Sequence, residues 1–103
     1  MNVREKMDLK WDEITATKNE RENLFSDFDK NKERIIELHY EVEIKQLEYL
    51  LLKREQLEDL RKTSVDPENV ERVNKINETC IKQLQDRLSS YGFIERLQAE
   101  KLI

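Results

Sequence analysis

The residues able to do chemistry are few. His39 has Glu43 one helical turn away, which could offer two metal ligands, but a catalytic zinc takes three from the protein and there is no second His. The single Cys80 has no neighbouring His, so it reads as a thiol packed in an apolar stripe rather than a nucleophile. Asn77-Glu78-Thr79 matches a glycosylation acceptor but falls inside an expected helix, so it is set aside. Acidic side chains are plentiful yet interleaved with Lys and Arg at helical spacing, as Lys53 and Arg54 are with Glu58. That pattern belongs to a solvated helix face. The sequence therefore names no catalytic residue, no metal set and no cofactor site.

Composition narrows the function further. The chain has 103 residues, 41% of them charged and 37% apolar, with one Gly and one Pro. Phosphate-cradling loops and tight βα turns need glycine for positive φ and close backbone approach, and one glycine cannot build them. Acidic and basic residues number 23 and 19, mixed along the whole length. No segment is basic enough to hold nucleic acid or an anionic membrane by charge. The longest apolar run is Leu50 to Leu52, too short to span a bilayer. One Cys permits no internal disulfide and fits a reducing compartment.

What remains is a chain built to be helical. From Met1 to Asp66 there is neither Gly nor Pro, which predicts one long helix over residues 1–62. With Met7 at heptad position a, the a series runs Met7, Ile14, Arg21, Phe28, Ile35, Val42, Tyr49, Gln56. The d series is Val3, Lys10, Thr17, Leu24, Asn31, Leu38, Lys45, Leu52, Asp59, and 10 of these 17 residues are apolar. Such a seam is what two helices need to stay in contact along their length, and a helix this long would be a rod of about 90 Å. Arg21, Asn31 and Lys45 interrupt it, as polar residues do where a coil fixes register or partner or is simply weaker.

Thr63-Ser64-Val65-Asp66-Pro67-Glu68 reads as a stop and restart, with a turn over 63–66, Asp66 as N-cap and Pro67 at the first helical position. Val65 and Val70 have the spacing of a hydrophobic staple. A second helix over 67–91 carries Val70, Val73, Ile76, Cys80, Ile81, Leu84, Leu88 and Tyr91 on one broad stripe. Gly92 suits a C-terminal cap, and residues 92–103 form a tail or short terminal helix. Folded back at Ser64, the second helix lies along residues 37–60.

Over that span the first helix has two apolar faces: Ile36, Tyr40, Ile44, Leu47 and Leu51 lie opposite Leu38, Val42, Tyr49 and Leu52. The second helix can cover only one. The expected architecture is all-α, a long coiled-coil helix followed by an antiparallel helix. Its other face and N-terminal arm, made of Val3, Met7, Trp11, Ile14, Leu24, Phe25, Phe28, Ile35, Leu38, Val42, Tyr49 and Leu52, are expected to form an interface with another protein chain. Trp11 beside the seam is the type of residue that anchors such interfaces. The alternative is a small helical bundle, folded near Asp27 to Lys32, that serves as chaperone or adaptor for a cytoskeletal client.

The chain resembles the C-terminal part of the trypanin, or growth-arrest-specific, family, the coiled-coil fourth subunit of the nexin-dynein regulatory complex of cilia and flagella. The likeness runs through Val3-Arg4-Glu5-Lys6 and the Trp11 region, then Asn19-Glu20-Arg21-Glu22-Asn23-Leu24 leading to Phe28. It continues in the helix from Glu37 to Leu60, the Val65-Asp66-Pro67 break and the tail near Tyr91-Gly92-Phe93. The resemblance implies a non-enzymatic structural subunit in the cytoskeleton of the axoneme, without cofactor. Its partners would be sister coiled-coil subunits in a hetero-oligomer, with microtubule or tubulin reached through the complex and neither nucleic acid nor membrane bound. It would help link doublet microtubules and restrain dynein motors. Family members are several times longer and make much of their microtubule contact with a coil outside this stretch. They also carry extra residues, including a glycine, between their counterparts of Phe28 and Glu37, so this helix is expected to run straight where relatives bend.

Overall fold

The computed structural model describes all of residues 1–103 and is entirely helical. α1 spans Val3–Asn23, a 3-10 segment covers Leu24–Asp27, and α2 spans Phe28–Thr63; α3 is Pro67–Ser90 and α4 is Ile94–Ala99. Between Val3 and Thr63 only Asp27 departs from helical dihedrals, and α3 folds back antiparallel on α2.

The axis of that long segment is not straight. A continuous α-helix of this length would measure about 90 Å, whereas the molecule is 53 × 26 × 23 Å with a radius of gyration of 16.0 Å. The rod shape is therefore corrected, as is the expectation that the chain runs straight past Phe28. At the end of the 3-10 segment Asp27 leaves helical space, at φ −134° and ψ 70°, and α1 doubles back along α2. The reason is energetic: the N-terminal half of the seam covers the free face of α2 without the entropic cost of recruiting a second molecule.

α2 is thus the central helix, with α1 on one face and α3 on the other. No Cα of α1 comes within 8 Å of α3. The two faces are those opposite stripes that the residue pattern places on α2. Met7, Ile14, Ile35, Leu38 and Val42 are buried on the α1 side. On the α3 side Ile44, Leu47, Ile81, Leu84, Leu88, Leu97 and Leu102 form the main core, flanked by Leu50, Leu51 and Phe93. Burying each of its larger aliphatic side chains contributes about 1.5 to 3 kcal/mol.

Local chemistry fixes the ends. The Asn2 side chain accepts a 2.8 Å hydrogen bond from the Glu5 amide at the start of α1. Asp66 accepts one from the Asn69 amide at 3.2 Å, with Pro67 opening α3. Val65 does not staple onto Val70. Val65 is fully exposed while Val70 is buried, because the Ser64 hydroxyl accepts the Asp66 amide at 3.0 Å in a turn that points Val65 outward. α3 ends in a Schellman motif with Gly92 at φ 92°; the Phe93 amide donates to the Leu88 carbonyl and Gly92 to Ser89, each at 3.1 Å. α4 ends the same way, with Lys101 at φ 58° in the glycine position and the Leu102 amide donating to Leu97 at 2.8 Å. In both motifs the flanking apolar pair, Leu88 with Phe93 and Leu97 with Leu102, belongs to the main core or packs against it.

Candidate interaction surface

The α1–α2 seam holds most of the residues expected to meet another chain. Lys10 Nζ lies 2.6 Å from Glu48 Oε2, Trp11 packs on Tyr49 with ring centroids 5.6 Å apart, and Arg34 reaches Glu20 at 3.0 Å. As residue numbers rise on α1 they fall on α2, the mark of an antiparallel pair. Of the twelve expected interface residues, Met7, Ile14, Ile35, Leu38 and Val42 are buried, and Val3, Leu24, Tyr49 and Leu52 are half-buried. Trp11, Phe25 and Phe28 remain exposed. The heptad pattern marks a true seam; in this conformation the chain supplies both of its sides.

The polar interruptions have particular partners. Asn31 Nδ2 donates to the Leu24 carbonyl at 3.2 Å, closing the turn. Lys45 faces Glu41 at 3.9 Å. Arg21 begins a chain of polar groups that crosses all three long helices. Its Nη1 is 3.4 Å from His39 Nδ1, His39 Nε2 is 3.6 Å from Glu43 Oε1, and Arg87 Nη2 of α3 is 3.1 Å from the same oxygen. A guanidinium can only donate, so Nδ1 is the accepting atom in the contact with Arg21. Glu43 is only 8% exposed, its Oε2 has no hydrogen-bond partner, and neither does the buried Arg21 Nε. His39 and Glu43 thus link helices in an electrostatic chain. No three His, Cys, Asp or Glu side chains converge as a metal site would require.

Other ion pairs pin the periphery. Arg54 grips Glu78 in a two-point contact at 2.6 and 2.9 Å, joining α2 to α3 and holding the Glu78 carboxyl below its usual range. Arg96 Nη1 donates a single hydrogen bond to Glu41 at 2.7 Å, which ties α4 to α2 and lowers the Glu41 pKa. Burial pulls the Lys10 pKa down, but hydrogen bonds to Glu13 and Glu48 outweigh it and leave the value raised. Asn77 is buried and donates to the Leu50 carbonyl at 3.1 Å, so its amide is closed to modification in the folded chain.

One group of exposed apolar side chains lies at the hairpin end. α3 stops opposite Tyr40, whose ring packs on Tyr91 and Phe93 at 5.3 and 5.0 Å, so α1 and α2 project beyond it as a two-helix tip. There Phe25 and Phe28 stack at 6.0 Å with planes 13° apart, 50% and 46% exposed. Ile36, Tyr91 and Ile94 are exposed close by. An open groove of about 420 Å³ runs between Phe25, Ile36, His39 and Tyr40, with Arg21 and Glu22 on its rim. Sequence reasoning placed Phe25 and Phe28 on the interface but missed Tyr91 and Ile94 as its extension, because their place beside the tip depends on where α3 ends. The Arg21-to-Arg87 chain was missed too, although a cation at a seam position was a clue.

No helix is long and apolar enough to cross a membrane. Comparison with family models, curated proteins and solved structures yields no match for this chain.

Proposed function

We propose that this chain is a non-enzymatic structural subunit that binds other helical proteins through its hairpin end. The observation that carries this reading is the stacked Phe25–Phe28 pair, half in water at a tip no other part of the chain covers. Aromatic side chains held rigidly in solvent are what protein interfaces use as anchors, because they bury much area at little entropic cost. The resemblance to the trypanin family supports a setting in the cytoskeleton of the cilium or flagellum. There the chain would join sister coiled-coil subunits of the nexin-dynein regulatory complex, link doublet microtubules and restrain dynein, with tubulin contacted through the complex.

Crosslinking mass spectrometry of the native assembly tests this. Crosslinks from Lys30 and Lys32, beside the tip, to one or two other coiled-coil proteins are expected, and a Phe25→Asp, Phe28→Asp variant should lose them. Retention of the same crosslinks by that variant would overturn the reading.

A second reading, a transient adaptor or chaperone for a client such as tubulin, is favoured by one observation. The chain covers its own seam and so needs no permanent partner along its length. Gradient sedimentation of cell extract separates the two, because a structural subunit stays with the axonemal fraction and a chaperone does not.

A further inference from the structure

The seam between α1 and α2 would be just as well satisfied by a second copy of the chain. In an antiparallel hairpin each a residue of one arm faces a d residue of the other. The contacts of Lys10 with Glu48, Trp11 with Tyr49 and Arg21 with His39 set this register away from the turn, with Met7 level with Leu52 and Arg21 with Leu38, while at the turn itself the arms close in and Leu24 meets Asn31. Two straightened Val3–Thr63 segments laid antiparallel reproduce the Met7–Leu52 and Arg21–Leu38 layers twice, once on each side of a twofold axis near residues 29 and 30. No new pattern has to be encoded.

The hinge is suited to the exchange. Asn23, Leu24 and Phe28 already hold helical dihedrals, at φ, ψ of −63°, −24°, then −83°, −13°, then −59°, −46°. Asp27 is the hinge residue that departs from them, and its side chain makes no capping hydrogen bond to reward the departure. Neither Gly nor Pro marks the turn. Heptad positions run through it in phase, with Leu24 at d, Phe28 at a and Asn31 at d. Phe28, 46% exposed at the tip of the hairpin, would enter the middle of the shared seam. Asp27 would come level with Lys32 of the second copy, a pairing of opposite charges made twice by symmetry. α3 and α4 pack on the other face of α2, so the main core survives the exchange intact.

We propose that two copies of this chain swap their α1 helices by straightening Leu24–Asp27, giving an antiparallel dimer in which each α1 packs on the α2 of the other copy. Exchange of an identical element is a low-cost route to dimers, since the packing each chain gives up internally is remade against its neighbour. The long coiled-coil rod then exists as the dimeric form of the same sequence.

The purified full-length chain decides it. Light and heavy-isotope chains are mixed, unfolded and refolded together over a range of concentrations, then treated with a carbodiimide that welds Lys10 to Glu48 only where the two touch. In the dimer fraction from size exclusion, about half of the Lys10–Glu48 crosslinked peptides should pair a light with a heavy partner, as random exchange requires. In the monomer fraction none should. A Ser26→Ala, Asp27→Ala variant, a better helix former at the hinge, should raise dimerisation by about threefold per chain, and Ser26→Gly, Asp27→Gly should lower it. The proposal is overturned if dimers carry only same-isotope Lys10–Glu48 pairs, or if both wild type and the alanine variant stay monomeric up to about 1 mM.

Discussion

Trp11 of α1 packs on Tyr49 of α2, ring centroids 5.6 Å apart and planes tilted by 56°. One residue was expected to anchor a partner protein and the other to lie on the face that partner would cover. Their contact shows that the chain's own N-terminal arm occupies that face, and it divides the expected interface into a buried seam and an exposed tip.

This division gives two a positions of the seam opposite behaviour. Ile14 is 2% exposed and Phe28 46%. Ile14→Asp places a carboxylate in an apolar layer and should cost at least about 4 kcal/mol, detaching α1. Phe28→Asp should leave the melting temperature nearly unchanged and act only on association. Thermal melts of the two variants check this, and equal destabilisation would show that the seam is not intrachain.

Stability should fall in acid for a reason that can be assigned. Glu41, Glu78 and Glu13 all have lowered pKa values, each first through the hydrogen bond to Arg96, Arg54 and Lys10 respectively. A lowered carboxylate contributes stability that is full above the unfolded value, about 4.3 for glutamate, and is lost as pH falls through the folded one. The raised Lys10 acts at the other limb; its contribution is full below about 10.4 and lost as pH rises past that. Urea midpoints measured across pH should be flat near neutrality and drop below about pH 4.5. Glu41→Gln and Glu78→Gln together should shrink the acid drop.

Lys101 holds a left-handed conformation, φ 58°, that closes α4 and brings Leu102 onto Leu97. A side chain there costs about 1 kcal/mol relative to glycine. Lys101→Gly should therefore raise stability by about 0.5 to 1 kcal/mol in chemical denaturation. A loss of stability would show that the Lys101 side chain holds the tail in a way its backbone does not.

The all-helical class, the Asp66-Pro67 restart and the two faces of α2 were legible because each is written in local chemistry: propensity, capping and period. The reversal at Leu24–Asp27 entered only as the alternative of a bundle folded near Asp27 to Lys32, the shape the chain in fact takes. Every residue there tolerates a helix, and the turn is selected by what α1 covers once it folds back. The same limit explains Val65. Its spacing to Val70 suits a staple, but the turn that the Ser64 hydroxyl closes on the Asp66 amide leaves Val65 in water. Of the candidate surface, the sequence pointed to Trp11, Phe25 and Phe28 and to the seam. It could not say which of these would face water, since exposure was decided by the hairpin.

Small-angle X-ray scattering of the dilute chain tests the hairpin most directly. The folded-back chain predicts a radius of gyration close to the 16.0 Å of its Cα trace and a longest dimension not far above 53 Å. A value near 26 Å, as a straight rod of about 90 Å would give, from a species whose forward scattering reports a single chain, would contradict it.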